Sequence, residues 1–200
     1  MRNTVLKEMD KCSGCGLCET VCPVQAIKME YDKSGFIYPV IQKEKCIDCG
    51  LCERKCVVET VSVEYPRTCY AGVHLDKKIR VKSSSGGMFA ALAEYTLEQG
   101  GVVFGAAFVP KGKIVTVKHI MIKNKEELKK LQGSKYVQSD IRECYTNVKQ
   151  QLAEGNKVLF SGTPCQVAAM KNYLGKEYDD LLLVDLVCHG TPSILHWEKS

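Results

Sequence analysis

The chain has 200 residues, 45% apolar and 26% charged, with a formal charge of +5. That composition is globular and excludes a disordered or fibrous chain. No apolar run approaches the roughly 20 residues that cross a bilayer, and the opening "MRNTVLKEMDKC" lacks the apolar core of a signal peptide.

Twelve cysteines in a chain without a signal peptide point to metal ligation or redox chemistry in a reducing, cytoplasmic setting. Most of them stand in an internal repeat. "KCSGCGLCETVCPV" begins at Lys11 and "KCIDCGLCERKCVV" at Lys45, an offset of 45 − 11 = 34 residues. Each half reads C-x2-C-x2-C-x3-C: Cys12, Cys15, Cys18 and Cys22, then Cys46, Cys49, Cys52 and Cys56. Three cysteines two residues apart wrap a loop around one face of an iron-sulfur cube, and the fourth leaves on a short helix to reach another cube. Gly16 and Gly50 let backbone amides approach the sulfides, having no Cβ. Pro23 ends the first helix, and Val57 stands at the matching place in the second run. Zinc also takes thiolates, but it does not need a third cysteine at the same short spacing in both halves. "AIKMEYD" and "GFIYPVI", between the runs, read as short strands.

Past residue 65 the chain loses periodicity, and residues 66–82 read as a linker. "SSSGG" then precedes "MFAALAEYTLEQG", where Phe89, Leu92, Ala93 and Leu97 follow helical spacing and two glycines stop the helix. "VVFGAAFV" and "KIVTVKHIMI" read as strands joined by a turn. "NKEELKKLQ" reads as a helix capped by Asn124, and "QSDIRECYTNVKQQLAEG" as another closed by Gly155. "KVLF" and "DLLLVDLVC" read as buried strands around a helix, "PCQVAAMKNYL". The alternation predicts a parallel or mixed α/β sheet.

Three loops fall where such folds bind ligands. "SSSGGM" offers free amides and small side chains at a helix start, as a phosphate requires; a plain structural cap reads equally well. "LQGSKYVQS" carries Lys135 and Tyr136, a cation and an aromatic face, or an ordinary surface turn. "SGTPCQ" and "VCHGTP" end two strands expected to be neighbours, which brings Cys165 and Cys188 to one end of the sheet.

The N-terminal runs resemble a bacterial-type two-cluster ferredoxin. That resemblance implies that Cys12, Cys15, Cys18 and Cys56 hold one 4Fe–4S cluster, and Cys46, Cys49, Cys52 and Cys22 the other. Two loaded sites, each with a formal charge of about −2, would bring the protein close to neutrality. Together with the dispersed lysines, this argues against nucleic-acid binding.

In that order after the cysteine runs, "SSSGGMFAALAEYTLEQG", "GSKYVQS", "VLFSGTPCQVAAMKNYL" and "LVDLVCHGTPS" resemble the coenzyme F420 hydrogenase/dehydrogenase beta-subunit family. The resemblance implies an α+β chain: a two-cluster ferredoxin-like module, residues 1–65, then a mixed α/β domain. Residues 83–155 would be of the beta-subunit N-terminal type. Residues 156–200 would begin the C-terminal type, and the chain reads as truncated there. It further implies an iron-sulfur flavoprotein oxidoreductase subunit, with FAD bordered by Ser84, Ser85, Gly86, Gly87, Lys135 and Tyr136. A third 4Fe–4S cluster would take Cys165, Cys188 and a later C-x2-C pair that this sequence does not contain. Electrons would pass between the clusters and an FAD-linked two-electron partner, a deazaflavin coenzyme or a similar small molecule, and a redox partner protein or subunit. The cofactor carries that chemistry, so no catalytic residue is named, and the activity of the 200-residue chain itself is left open.

Two other readings stand beside it. One is a flavin-free ferredoxin-type adaptor that docks onto a partner enzyme. The other is a thiol enzyme, with Cys165 as nucleophile near a helix start and His189 as base. Alternatively, His189 ligates or tunes a cluster, shuttles a proton to a flavin, or fills a turn. Cys69 and Cys144 read as buried apolar side chains, and His74, His119 and His196 as structural.

Overall fold

The structure, a computed structural model, describes residues 11–60, 68–112 and 114–195. The N-terminal module opens with helix α1 (Leu17–Val21), which follows the first three cysteines, and strands β1 (Ile27–Tyr31) and β2 (Ile37–Ile41) form an antiparallel hairpin. Helices α2 (Leu51–Arg54) and α3 (Val57–Thr60) follow the second set. The repeat survives in the backbone. Gly14 and Asp48 have φ of 64° and 53°, and Gly16 and Gly50 have 74° and 69°. Both loops therefore turn through the left-handed region at the same two places, where glycine costs least. Shifted by 34 residues, the counterparts of the hairpin fall at residues 61–65 and 3–7, outside the described residues.

The larger part is a four-stranded mixed sheet in the order β4-β3-β5-β6. Strands β3 (Val102–Lys111) and β4 (Ile114–Ile122) run antiparallel, and β5 (Val158–Gly162) and β6 (Leu181–Asp185) extend the sheet in parallel from β3. Strand β5 is buried along its whole length because it lies between two strands and two helical layers. Helix α5 (Met88–Glu98) covers one face, where Ala90, Ala93, Val103, Ala107, Ile122 and Leu159 form one core. Helices α6 (Arg142–Ala153) and α7 (Pro164–Leu174) cover the other with Val102, Phe104, Tyr145, Val148, Phe160 and Met170. Alternate residues of β3 and β5 serve the two cores, as the two-residue period of a strand demands.

Leu17 and Val57, from the cysteine repeat, belong to the α6/α7 core and are 1% and 5% exposed. The small module is thus packed into the larger unit. Strands on both sides of residue 156 share one sheet. Among the described residues, no helix is long and apolar enough to cross a membrane.

The sequence-based elements need four corrections, the first that β6, read as buried, is a partly exposed edge strand. The 66–82 stretch holds a short helix, α4 (Lys77–Val81), in which the Asp76 carboxylate accepts from the Lys78 amide at 2.7 Å. Five residues are too few to show a hydrophobic period. "NKEELKKLQ" winds as a 3-10 helix, Lys125–Lys130, with Asn124 capping the Glu127 amide at 3.1 Å. Helix α6 starts at Arg142 rather than Gln138, because Asp140 is bridged to Lys118 beside β4. There the His119 amide donates to the Asp140 carbonyl and the Asp140 amide to that of Val117.

Candidate metal centre

The cysteines gather into two groups that exchange members between the runs. One cavity, of about 320 Å3, is lined by Cys12, Cys15, Cys18 and Cys56, with Cys52 beside them. A smaller one is lined by Cys22, Cys46, Cys49 and Cys52. The last cysteine of each run therefore faces the first three of the other. Among the described residues, no three histidine, cysteine or carboxylate side chains meet closely enough to share one ion, and the thiols stand around each cavity instead. A cube takes its ligands in that way, one per iron.

The donor set fits such a group. Burial raises the thiols of Cys12, Cys15, Cys18 and Cys52 above the ordinary value, and neighbouring cysteines raise them further. Clustered thiolates repel one another unless a cationic core lies between them. Backbone amides already point at sulfur: Gly14 N–H donates to Cys12 Sγ at 3.3 Å and Ala26 N–H to Cys22 Sγ at 3.2 Å.

The first cavity, hereafter the inner one, adjoins the α/β unit. Tyr145 Oη donates to the Cys15 carbonyl at 3.0 Å, and Gln138 Nε2 to the Ser13 carbonyl at 2.7 Å. Arg142 bonds Glu19 at 2.9 Å and Asp140 at 2.7 Å. Cys165 is close enough to Cys12 and Cys15 to raise both thiols. Its own position is built by the start of α7. Thr163 and Gln166 form a capping box, Pro164 takes the first helical position, and Thr163 Oγ1 lies 3.2 Å from Cys165 Sγ. Cys188 lies past the end of β6, exposed, with Gly190 N–H donating to its sulfur at 3.4 Å. Strands β5 and β6 are indeed neighbours.

The sequence matches the 4Fe-4S dicluster domain over residues 11–60. It matches the coenzyme F420 hydrogenase/dehydrogenase beta subunit in its N-terminal part over residues 69–144 and its C-terminal part over 155–200. The chain belongs to this beta-subunit family. No curated protein matches it. Among solved structures it is similar to a chain of the xenon-derivatised F420-reducing NiFe hydrogenase complex from Methanosarcina barkeri. The two share 23% identity with a TM-score of 0.53, over 64% of this chain and 46% of that one. The chain thus spans about half the length of that neighbour, and the likeness shows the fold.

In this beta-subunit relative, the two segments read from sequence as flavin borders meet. Ser84 Oγ and Ser134 Oγ are 3.2 Å apart, and Gln132 Nε2 donates to Ser83 Oγ at 3.2 Å. Ser85, Gly86 and Gly87 form a tight turn with φ of 49°, 69° and 82°, and Gly87 caps α5. Lys135 Nζ donates to the carbonyls of Leu131 and Gln132 at 2.9 and 2.8 Å, and partial burial lowers its pKa to about 8. Tyr136 is exposed.

The remaining single residues divide. Cys144 is buried, its thiol pushed up to about 12 by burial. Cys69 departs from the expected burial and is exposed, since it stands in an extended stretch outside the sheet and its helices. His119 Nε2 donates to the Ser161 carbonyl at 2.7 Å, and burial lowers its pKa to about 4, so the ring is a neutral tie between β4 and β5. His74 Nδ1 accepts from the Asp76 amide, leaving Nε2 to donate to Glu94 at 3.1 Å. His189 is exposed, and His196 lies outside the described residues. Sequence reasoning missed Tyr145, Gln138 and Arg142 because each acts across more than a hundred residues of chain.

Proposed function

We propose that the protein is an iron-sulfur flavoprotein subunit that passes electrons between two 4Fe–4S clusters and an FAD-linked two-electron partner. The observation that carries this reading is the exchange of Cys56 and Cys22 between the two cysteine cavities. Cys12, Cys15, Cys18 and Cys56 hold the inner cluster, and Cys46, Cys49, Cys52 and Cys22 the outer one. When bound, the clusters supply one-electron steps and the flavin couples them to two-electron chemistry.

The chain's own residues fix the route. Cys46 and Cys49 are exposed and open the outer site to a redox partner protein. Cys165, beside Cys12 and Cys15, opens the inner site toward the α/β unit. A third 4Fe–4S centre on that side would need, besides Cys165 and Cys188, a C-x2-C pair that this sequence does not contain, so in the 200-residue chain these two remain free thiols. The paired 83–88 and 133–139 segments hold the FAD phosphates with backbone amides and the Ser84, Ser85 and Ser134 hydroxyls. Lys135 supplies a nearby positive charge. All twelve cysteines are unbridged, which suits a reducing cytoplasm. A deazaflavin coenzyme is the substrate that the family points to, and the similar Methanosarcina barkeri chain is part of an F420-reducing hydrogenase complex.

Anaerobic purification and analysis of iron, sulfide and released flavin test the reading. About eight irons per chain, two for each pair of the eight repeat cysteines, with flavin freed on denaturation, are expected. The same iron without flavin would leave the docking adaptor as the function.

A further inference from the structure

The inner cavity is lined by Cys12, Cys15 and Cys18 of the first run and by Cys56 of the second. The larger unit grips both runs by their backbone. On the first, Tyr145 Oη donates to the Cys15 carbonyl and Gln138 Nε2 to that of Ser13. On the second, the contact is Asn172, in the last turn of α7. Its Nδ2 donates to the Lys55 carbonyl at 3.1 Å and to Thr60 Oγ1 at 2.6 Å. Thr60 Oγ1 donates in turn to the Cys56 carbonyl at 2.9 Å. The peptide groups on both sides of Cys56 are therefore tied to one side chain, 117 residues from Lys55. Lys55 returns the contact. Its Nζ donates to the Asn172 carbonyl at 2.5 Å, where the end of the helix offers no amide and favours a positive charge. Gly175 ends α7 with φ of 69°, and a Cβ there would stand 3.3 Å from Lys55 Nζ. Cys22, the crossed cysteine of the outer site, is held by its own run instead: Ala26 N–H donates to its sulfur and Gln25 N–H to its carbonyl.

We propose that Asn172 is a positioning residue for Cys56, so that retention of the inner cluster depends on α7 being docked against the second run. This rests on Cys56 being a ligand of the inner cluster, as argued above. Helix α3 has four residues, too few to stand without outside contacts, so the peptides flanking Cys56 take their place from what binds them. Asn172 binds both flanks and touches neither iron nor sulfur. Partners that orient a metal ligand are worth about 10–100-fold in affinity. The outer cluster lacks this dependence, because the contacts that fix Cys22 lie within four residues of it. One cluster is thus held within the small module, and the other is shared between the module and the α/β unit.

The test is Asn172→Ala in the whole chain, loaded with clusters, with iron release to a chelator followed through the two EPR signals. The inner signal is the one that Cys56→Ser removes. The inner cluster should be lost about tenfold faster than in the wild type, and the outer at an unchanged rate. Thr60→Val, at an exposed position, breaks the link to the Cys56 carbonyl and should speed the same loss by less. Ile122→Ala is the control for general stability: it opens the core on the opposite face of the sheet and should leave the inner rate unchanged. An unchanged inner rate in Asn172→Ala, equal acceleration at both sites, or an inner rate raised as much by Ile122→Ala would overturn the proposal. If Asn172→Ala cannot be loaded, Thr60→Val decides alone, and an unchanged inner rate there overturns it. A wild-type protein that binds no iron would instead remove the cluster reading beneath the proposal.

Discussion

The first cysteine run faces inward and the second faces out, although their sequences differ little. Leu17 is 1% exposed in the core shared with α6 and α7, whereas Leu51, 34 residues later, is only half-buried. The Ser13 hydroxyl oxygen is buried, and Ile47 at the matching position is 61% exposed. Glu19 holds both the Met29 amide and Arg142, and no ion pair forms at Glu53 among the described residues. The difference teaches that a duplicated loop supplies two equivalent centres, and that the domain packed against one of them makes them unequal. The asymmetry comes from the neighbour rather than from the repeat.

The exchange of ligands gives the largest expected effect. Cys56→Ser should strip the inner site, and Cys22→Ser the outer, each leaving about half of the iron. EPR of the two variants should show the two different remaining centres. If Cys56→Ser instead depleted the same centre as Cys46→Ser, each run would hold its own cluster and the crossed arrangement would be wrong.

Burial predicts an order of loss as well. With Cys46 and Cys49 exposed, a chelator under mild oxidation should remove the outer cluster several-fold faster than the inner one. Following iron release against the two EPR signals checks this. Equal rates would mean that contact with the α/β unit does not shield the inner site.

Much of this was legible in the sequence, for a physical reason. Ligand spacing is local, so C-x2-C-x2-C-x3-C announced both loops, and the glycine positions that turn them repeat with it. Helix α7 was equally readable, since Thr163, Pro164, Gln166 and Gly175 are local cap signals. What could not be read was long-range. Nothing at Tyr145 or Arg142 marks them as neighbours of a cysteine loop over a hundred residues away. Cys165 was read together with Cys188, and its proximity to Cys12 and Cys15 depends on how α7 docks on the small module. The exposure of Cys69 was invisible for the same reason, because burial is decided by what packs over a side chain.

Leucine truncation measures the docking directly. Leu17→Ala removes a side chain from the shared core and should cost about 2–5 kcal/mol in denaturant unfolding of the loaded protein. Leu51→Ala, at the matching position, should cost about 1 kcal/mol or less, because the site is only half-buried and relaxes into solvent. Equal losses would mean that the two runs are equally anchored, against the inward-outward contrast.

The smallest effect concerns Glu19. Its Oε2 accepts from Arg142 Nη1 at 2.9 Å while Oε1 accepts from the Met29 amide at 3.1 Å. Glu19→Gln keeps an oxygen for Met29 and removes only the charge. Arg142 stays neutralised by Asp140, with its Nη2 and Nε both bonded to that carboxylate. The loss should therefore stay within about 1 kcal/mol, as for partly exposed ion pairs. It should also shrink as salt rises, since screening weakens the wild-type pair and leaves the neutral variant untouched. Glu53→Gln loses no such partner, so unfolding should show a change within about 0.5 kcal/mol and no salt dependence. A salt-sensitive loss at Glu53 as large as that at Glu19 would place a docking charge on the outward run too, and the asymmetry would then rest on burial alone.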